Sequence, residues 1–178
     1  IAIPKRIFDH GVFYPQTEAK VRGLRQLFPP DELSFFFGIR NPVSFLQDVA
    51  SKAGVTHLSD YLGLLSPLDI RWSDVIARIR RAAPDATVYV WCNEDTPLIW
   101  EDRIRLQSDV ATDTPLAGTY DMLAHVVTPE GLAAAKSQTM PTDRVGRHMA
   151  IAEIIETHAK AEVLEETIDL PELSTQMV

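Results

Sequence analysis

Residues 35–46 read Phe35-Phe-Phe-Gly-Ile-Arg-Asn-Pro-Val-Ser-Phe-Leu46, and this stretch decides the fold class. The apolar run from Leu33 to Ile39 is nearly continuous, as in a strand covered on both faces of a parallel sheet. It stops at Arg40. Asn41 then offers a side-chain cap to a helix with Pro42 at its first position, where a missing N–H costs nothing. Val43, Leu46, Val49, Ala50 and Ala53 give that helix one apolar face, and Gly54 ends it.

The same alternation extends in both directions. Upstream, Tyr14-Pro15-Gln16-Thr17 leads into a helix to about Phe28, with Val21, Leu24 and Phe28 on one face. Pro29-Pro30 stops it, because proline has no amide and restricts the residue before it. Downstream, Trp72, Val75, Ile76 and Ile79 mark a helix ending near Ala83-Pro84, and Thr87-Val-Tyr-Val-Trp91 is a second strand. Thr96-Pro97 starts a helix with Ile99, Trp100 and Ile104 as its apolar positions. Thr128-Pro129 starts a short one over Leu132 to Lys136, and 143–166 reads as one long, largely helical stretch. Strands separated by helices predict an α/β fold with a parallel sheet flanked by helices in three layers. Leu33–Ile39 and Thr87–Trp91 are expected to run parallel, with Phe36 and Val88 shielded from solvent. No repeat, low-complexity segment or linker divides the chain, so residues 1–178 read as a single domain. The start at Ile1 suggests a piece of a longer chain.

The chain has 178 residues, 46% of them apolar, which is enough for one good core. A net charge of −8 argues against nucleic acid, whose binding is carried by Lys and Arg on phosphates. It leaves room for a small anionic ligand at a local arginine. The lone Cys92 excludes an internal disulfide framework and fits a reducing compartment, and at a strand end it reads as a small core residue. No apolar run is long enough to span a bilayer and no signal-peptide pattern occurs, so a cytoplasmic protein is expected.

In open parallel sheets, ligands bind beyond the carboxyl ends of strands, where the next helix presents first-turn amides and the positive end of its dipole. Arg40 occupies that place, and its planar fork suits a phosphate. Ser44 adds a hydroxyl in the first turn. The alternative is an Arg40 paired with a nearby carboxylate. Glu94-Asp95 follows the second strand and could orient a substrate, or simply favour a helix start. His10, in Asp9-His10-Gly11, is a candidate general base in a glycine-containing loop; the alternative is an ordinary turn residue. His125 lies in an apolar stretch and reads as packed. His148 and His158 share the long helix without metal-ligand spacing, so no metal site is expected. There is no zinc motif, no GxGxxG and no GxxxxGK[ST].

The stretch from Tyr14 to Ala53 resembles the sulfotransferase family, in which a helix is followed by a strand ending in Arg-Asp/Asn-Pro and then a helix. The later WSDVIARIRRAAPDATVYVWCNEDTPLIWEDRI looks like the family's next unit, a helix and a strand ending in an acidic pair. Together they cover somewhat less than half the chain. The resemblance implies a P-loop NTPase/sulfotransferase-like fold and transfer of a sulfuryl group from 3′-phosphoadenosine 5′-phosphosulfate to a small-molecule or carbohydrate acceptor. It also implies that Arg40 holds the donor's 3′-phosphate. The family carries a serine eight residues after this arginine; here Asp48 stands there, and its charge would repel phosphate or pair with Arg40. The family's 5′-phosphosulfate loop with its catalytic lysine lies on an upstream strand, which this sequence does not contain. The family's base lies upstream of the motif strand, as His10 does. These departures keep a second reading open, a non-catalytic binding or interaction module on the same fold.

Overall fold

The computed structural model describes residues 3–28, 33–63, 65–111 and 114–164, with side chains to 162. They pack as two compact units, 3–90 and 91–164. The division falls inside a strand, where no linker composition marks it.

In the first unit, Pro4–Arg6 forms a 3-10 turn ahead of β1 (Phe8–Asp9) and β2 (Val12–Phe13). The two strands pair antiparallel, Phe8 opposite Phe13 and Asp9 opposite Val12. The two-residue loop between them is His10-Gly11, both at positive φ (49° and 73°), which matches the right-handed twist of a tight hairpin. Helix α1 (Thr17–Leu27) follows, then β3 (Ser34–Ile39), α2 (Pro42–Ala53), α3 (Leu58–Leu62), α4 (Trp72–Ala82) and β4 (Thr87–Cys92). The capping expected from sequence is present. Asn41 Oδ1 accepts from the Val43 amide at 2.9 Å, and Gly54 closes α2 in the left-handed region at φ 68°.

β3 and β4 form a parallel pair, and α2 and α4 lie on the connection between them, so the α/β reading holds at that level. Burial departs from expectation: Phe36 and Val88 are half-buried rather than shielded. Side chains alternate along a strand. Phe35, Phe37, Ile39 and Val88 pack against the core, whereas Phe36 stacks on Tyr89 with ring centres 5.0 Å apart. A two-stranded sheet also has an edge at every strand, which leaves neither strand fully enclosed.

The core of this unit is built on aromatic contacts. Phe13 touches Phe8, Tyr14, Phe45 and Trp72 with ring centres 4.7–5.8 Å apart. Val21 of α1 and Val75 and Ile79 of α4 are almost wholly buried where the two helices meet. Arg78 of α4 donates to the Phe13 and Tyr14 carbonyls, so the hairpin is tied to the helix that backs it.

In the second unit, a 3-10 turn at Asn93–Asp95 leads into α5 (Thr96–Ser108), followed by α6 (Asp121–Val126), α7 (Pro129–Ser137), α8 (Arg144–His158) and α9 (Ala161–Leu164). Thr128 and Asp143 cap α7 and α8 through the Gly131 and Gly146 amides. Leu123, Val127, Ala135 and Ile154 form the core here. The stretch expected to be largely helical over 143–166 is helical over Arg144–His158 and Ala161–Leu164, with a break at Ala159-Lys160. α8 ends at His158, because Ala159 turns extended and bridges Val127, with the Lys160 amide donating to the Val126 carbonyl. Residues 165 and 166 lie outside the described residues. Two expectations are corrected. His125 is exposed rather than packed, since α6 turns Leu123 inward and Val127, just past its end, is buried too. Cys92 is exposed rather than a core residue, because it lies at the last position of β4. No helix among the described residues is long and apolar enough to cross a membrane.

Candidate functional site

Arg40 lies between the last residue of β3 and the cap of α2, where the parallel-sheet argument places an anion site. Its backbone is fixed: the Trp72 indole N–H donates to the Arg40 carbonyl at 2.8 Å, and Trp72 is itself held in the aromatic cluster. Its guanidinium forms an ion pair with the Asp48 carboxylate. The carboxylate expected as the alternative partner of Arg40 is therefore Asp48. The Arg40 and Asp48 side chains are 32% and 48% exposed, so water screens the pair and it contributes at most about 1 kcal/mol. That makes it a contact a ligand could displace.

Ser44 takes a different part. It is buried, and its hydroxyl donates to the Asn41 carbonyl at 3.2 Å within the first turn of α2. The hydroxyl is spent on a backbone carbonyl within the helix rather than held out to a ligand. The first-turn amides are also partly committed: Pro42 has none, Val43 gives its own to Asn41 Oδ1, and Phe45 bonds to the Asn41 carbonyl. One guanidinium, already engaged by a carboxylate, thus carries the anion-binding capacity. This set suits a single phosphate group. The phosphosulfate donor carries charge at a second, separated position, which Arg40 and Ser44 do not address.

His10 is at the hairpin tip, its side chain 95% exposed and 3.4 Å from Asp9. A shallow depression of about 340 Å³ lies beside it, lined by Asp9, His10, Asp60, Tyr61 and Gly63 among others. Burial, with a contribution from Tyr14, pushes the Tyr61 hydroxyl up to about 12, and that hydroxyl donates to the Pro4 carbonyl, so it does not titrate near neutrality. Among the described residues His10 pairs with Asp9 alone, and nothing joins it to Arg40 or Ser44. Glu94 and Asp95 are exposed in the turn ahead of α5, and Asp95 makes no side-chain cap bond.

Sequence reading missed a polar cluster in the second unit. Asp102 of α5 receives Arg144 at 2.9 Å, Arg147 at 3.0 Å and His148 Nε2 at 2.8 Å, all from α8. Burial pushes the Asp102 carboxyl up, but the His148 and Arg147 hydrogen bonds and the charges of His148 and Arg144 outweigh it and hold it below the ordinary value. With its acceptor positions filled in this way, Asp102 clamps α5 to α8. Its only sequence signal is Arg144, Arg147 and His148 on one helix and Glu101-Asp102 on another. No group of three or more His, Cys, Asp or Glu side chains among the described residues could hold a metal ion.

Comparison with protein-family models, curated proteins and solved structures finds no match in any of the three.

Proposed function

We propose that the chain is a sulfotransferase-like protein of the P-loop-type α/β class that binds 3′-phosphoadenosine 5′-phosphosulfate and transfers its sulfuryl group to a small-molecule or carbohydrate acceptor. The observation that carries the reading is the placement of Arg40 at the exit of a parallel strand, directly before an Asn41-capped helix. Arg40 would hold the 3′-phosphate after leaving Asp48. Ser44 would support the loop from within, without touching the ligand.

The test is calorimetry on the intact protein with adenosine 3′,5′-bisphosphate, using adenosine 5′-monophosphate as the control lacking a 3′-phosphate. The bisphosphate should bind more tightly. Arg40→Ala should weaken it by roughly 1.5–3 kcal/mol, the scale of a charge-assisted hydrogen bond. Arg40→Lys should recover only part, because a point charge replaces a fork. Equal binding of the two nucleotides, or none, would overturn the reading.

The Arg40–Asp48 pair favours a second reading, a non-catalytic module of the same fold in which that arginine serves structure or a partner. Sulfuryl transfer from labelled donor to any member of an acceptor panel would exclude it.

A further inference from the structure

Arg103, on α5, lies with its guanidinium carbon 4.0 Å from the centre of the Trp91 ring and 5.4 Å from that of Trp100. Each ring face attracts the cation, but neither satisfies its N–H groups. Arg103 Nε is buried without a hydrogen-bond acceptor, and so is the indole nitrogen of Trp91. The Trp100 indole, by contrast, donates to the Gly118 carbonyl at 3.0 Å. One terminal nitrogen of Arg103 reaches the Thr96 hydroxyl at 3.5 Å, too long for a strong bond.

The acids that could neutralise Arg103 are engaged elsewhere. Glu101 pairs with Arg105 and faces Arg147 at 4.0 Å. Asp102 takes Arg144, Arg147 and His148. Arg103 is left with no carboxylate within 4.0 Å among the described residues, in a chain of net charge −8. Burial lowers its pKa, with no neighbouring acid to oppose the shift. A partly desolvated guanidinium without a counter-ion costs free energy, and so does each buried N–H without an acceptor. An oxyanion admitted to these two nitrogens would offset both costs.

We propose that Arg103, held against Trp91 and Trp100, is the recognition group of a binding site for a small oxyanion, namely the carboxylate, phosphate or sulfate group of a ligand. The guanidinium fork matches two oxygens of such a group, and the ring it covers carries a further donor without an acceptor, the Trp91 indole N–H. This site rests on the second unit alone and does not depend on the Arg40 reading.

The experiment is a two-dimensional proton–nitrogen spectrum of the intact chain, titrated with phosphate, sulfate or acetate at an ionic strength held constant with chloride. The indole signals of Trp72, Trp91 and Trp100 are assigned through single Trp→Phe variants. The Trp91 indole and the Arg103 Nε–H should shift in a saturable way with at least one anion. Trp72, whose indole bonds to the Arg40 carbonyl, reports the other site independently. Arg103→Gln should weaken the Trp91 response at least about tenfold, the loss of a charge-assisted hydrogen bond, and Arg40→Ala should leave it unchanged. A Trp91 shift that matches chloride, fails to saturate, or persists in Arg103→Gln overturns the proposal. So does a response confined to Trp72. If Arg103→Gln does not fold, Arg103→Lys should keep the Trp91 response with weaker binding, and an unchanged affinity counts against the fork.

Discussion

Replacing Asp48 by serine tests whether the carboxylate on Arg40 competes with a phosphate. Two terms contribute. The ligand must first displace the existing ion pair, worth about 0–1 kcal/mol for side chains as exposed as Arg40 and Asp48. It must then sit beside a displaced carboxylate. In water two like charges about 4 Å apart repel by about 1 kcal/mol, and more where the protein surface lowers the dielectric. Asp48→Ser removes both, so adenosine 3′,5′-bisphosphate should bind more tightly by about 1–2 kcal/mol, roughly a 5–30-fold gain. Calorimetry on wild type, Asp48→Ser, Arg40→Ala and the double variant forms a cycle that isolates the coupling. The gain should vanish without Arg40, and it should shrink as salt rises and screens the charges. A gain of the same size in the Arg40→Ala background would refute the reasoning, because Asp48 would then act on the ligand by another route. An unchanged affinity in Asp48→Ser would refute it as well.

Asp102 contributes through a carboxyl held below its ordinary value, so its stabilisation is present at neutral pH and is lost as pH falls below about 4 toward that lowered value. Asp102→Asn should cost about 1–3 kcal/mol in urea unfolding at pH 7, between a screened and a buried ion pair, and the difference from wild type should narrow at pH 3. At Gly131, a Cβ would lie 2.5 Å from His158 Cβ and 3.1 Å from Val127 Cβ. Gly131→Ala should therefore destabilise by about 1–2 kcal/mol despite alanine's helix preference of about 1 kcal/mol, because overpacking costs more; a stabilised variant in the same urea assay would show that α7 and α8 can part without cost.

The elements legible in the sequence are those bounded by local chemistry. Asn41-Pro42, Thr96-Pro97 and Thr128-Pro129 each start a helix within a residue of where the sequence places it, because a proline at the first turn is a local signal. Gly54 ends α2 for an equally local reason, its left-handed φ. The short helices Leu58–Leu62 and Asp121–Val126 have no such markers, and the sequence does not reveal them. Burial was less legible than element type. A continuous apolar strand reads as covered on both faces, but Phe36 finds its partner in Tyr89, and nothing in either strand's own sequence specifies that pairing.

The same distinction separates the two arginine sites. Arg40 and Asp48 are eight residues apart on one strand-to-helix unit, so the local geometry of a capped helix brings them together and the pair can be foreseen from spacing. The partners of Asp102 are not foreseeable in this way: Arg147 and His148 arrive from 45 and 46 residues away, when α8 packs against α5. That packing consumes the acids of α5 and leaves Arg103 without one. Arg40 therefore carries its own competing carboxylate, and a ligand there must win an exchange. At Arg103 an oxyanion would have no carboxylate of the described residues to displace. For equal phosphate contacts, binding at Arg103 should then be the less sensitive of the two to carboxylate substitutions in the chain, and Asp48→Ser should move only the Trp72 signal.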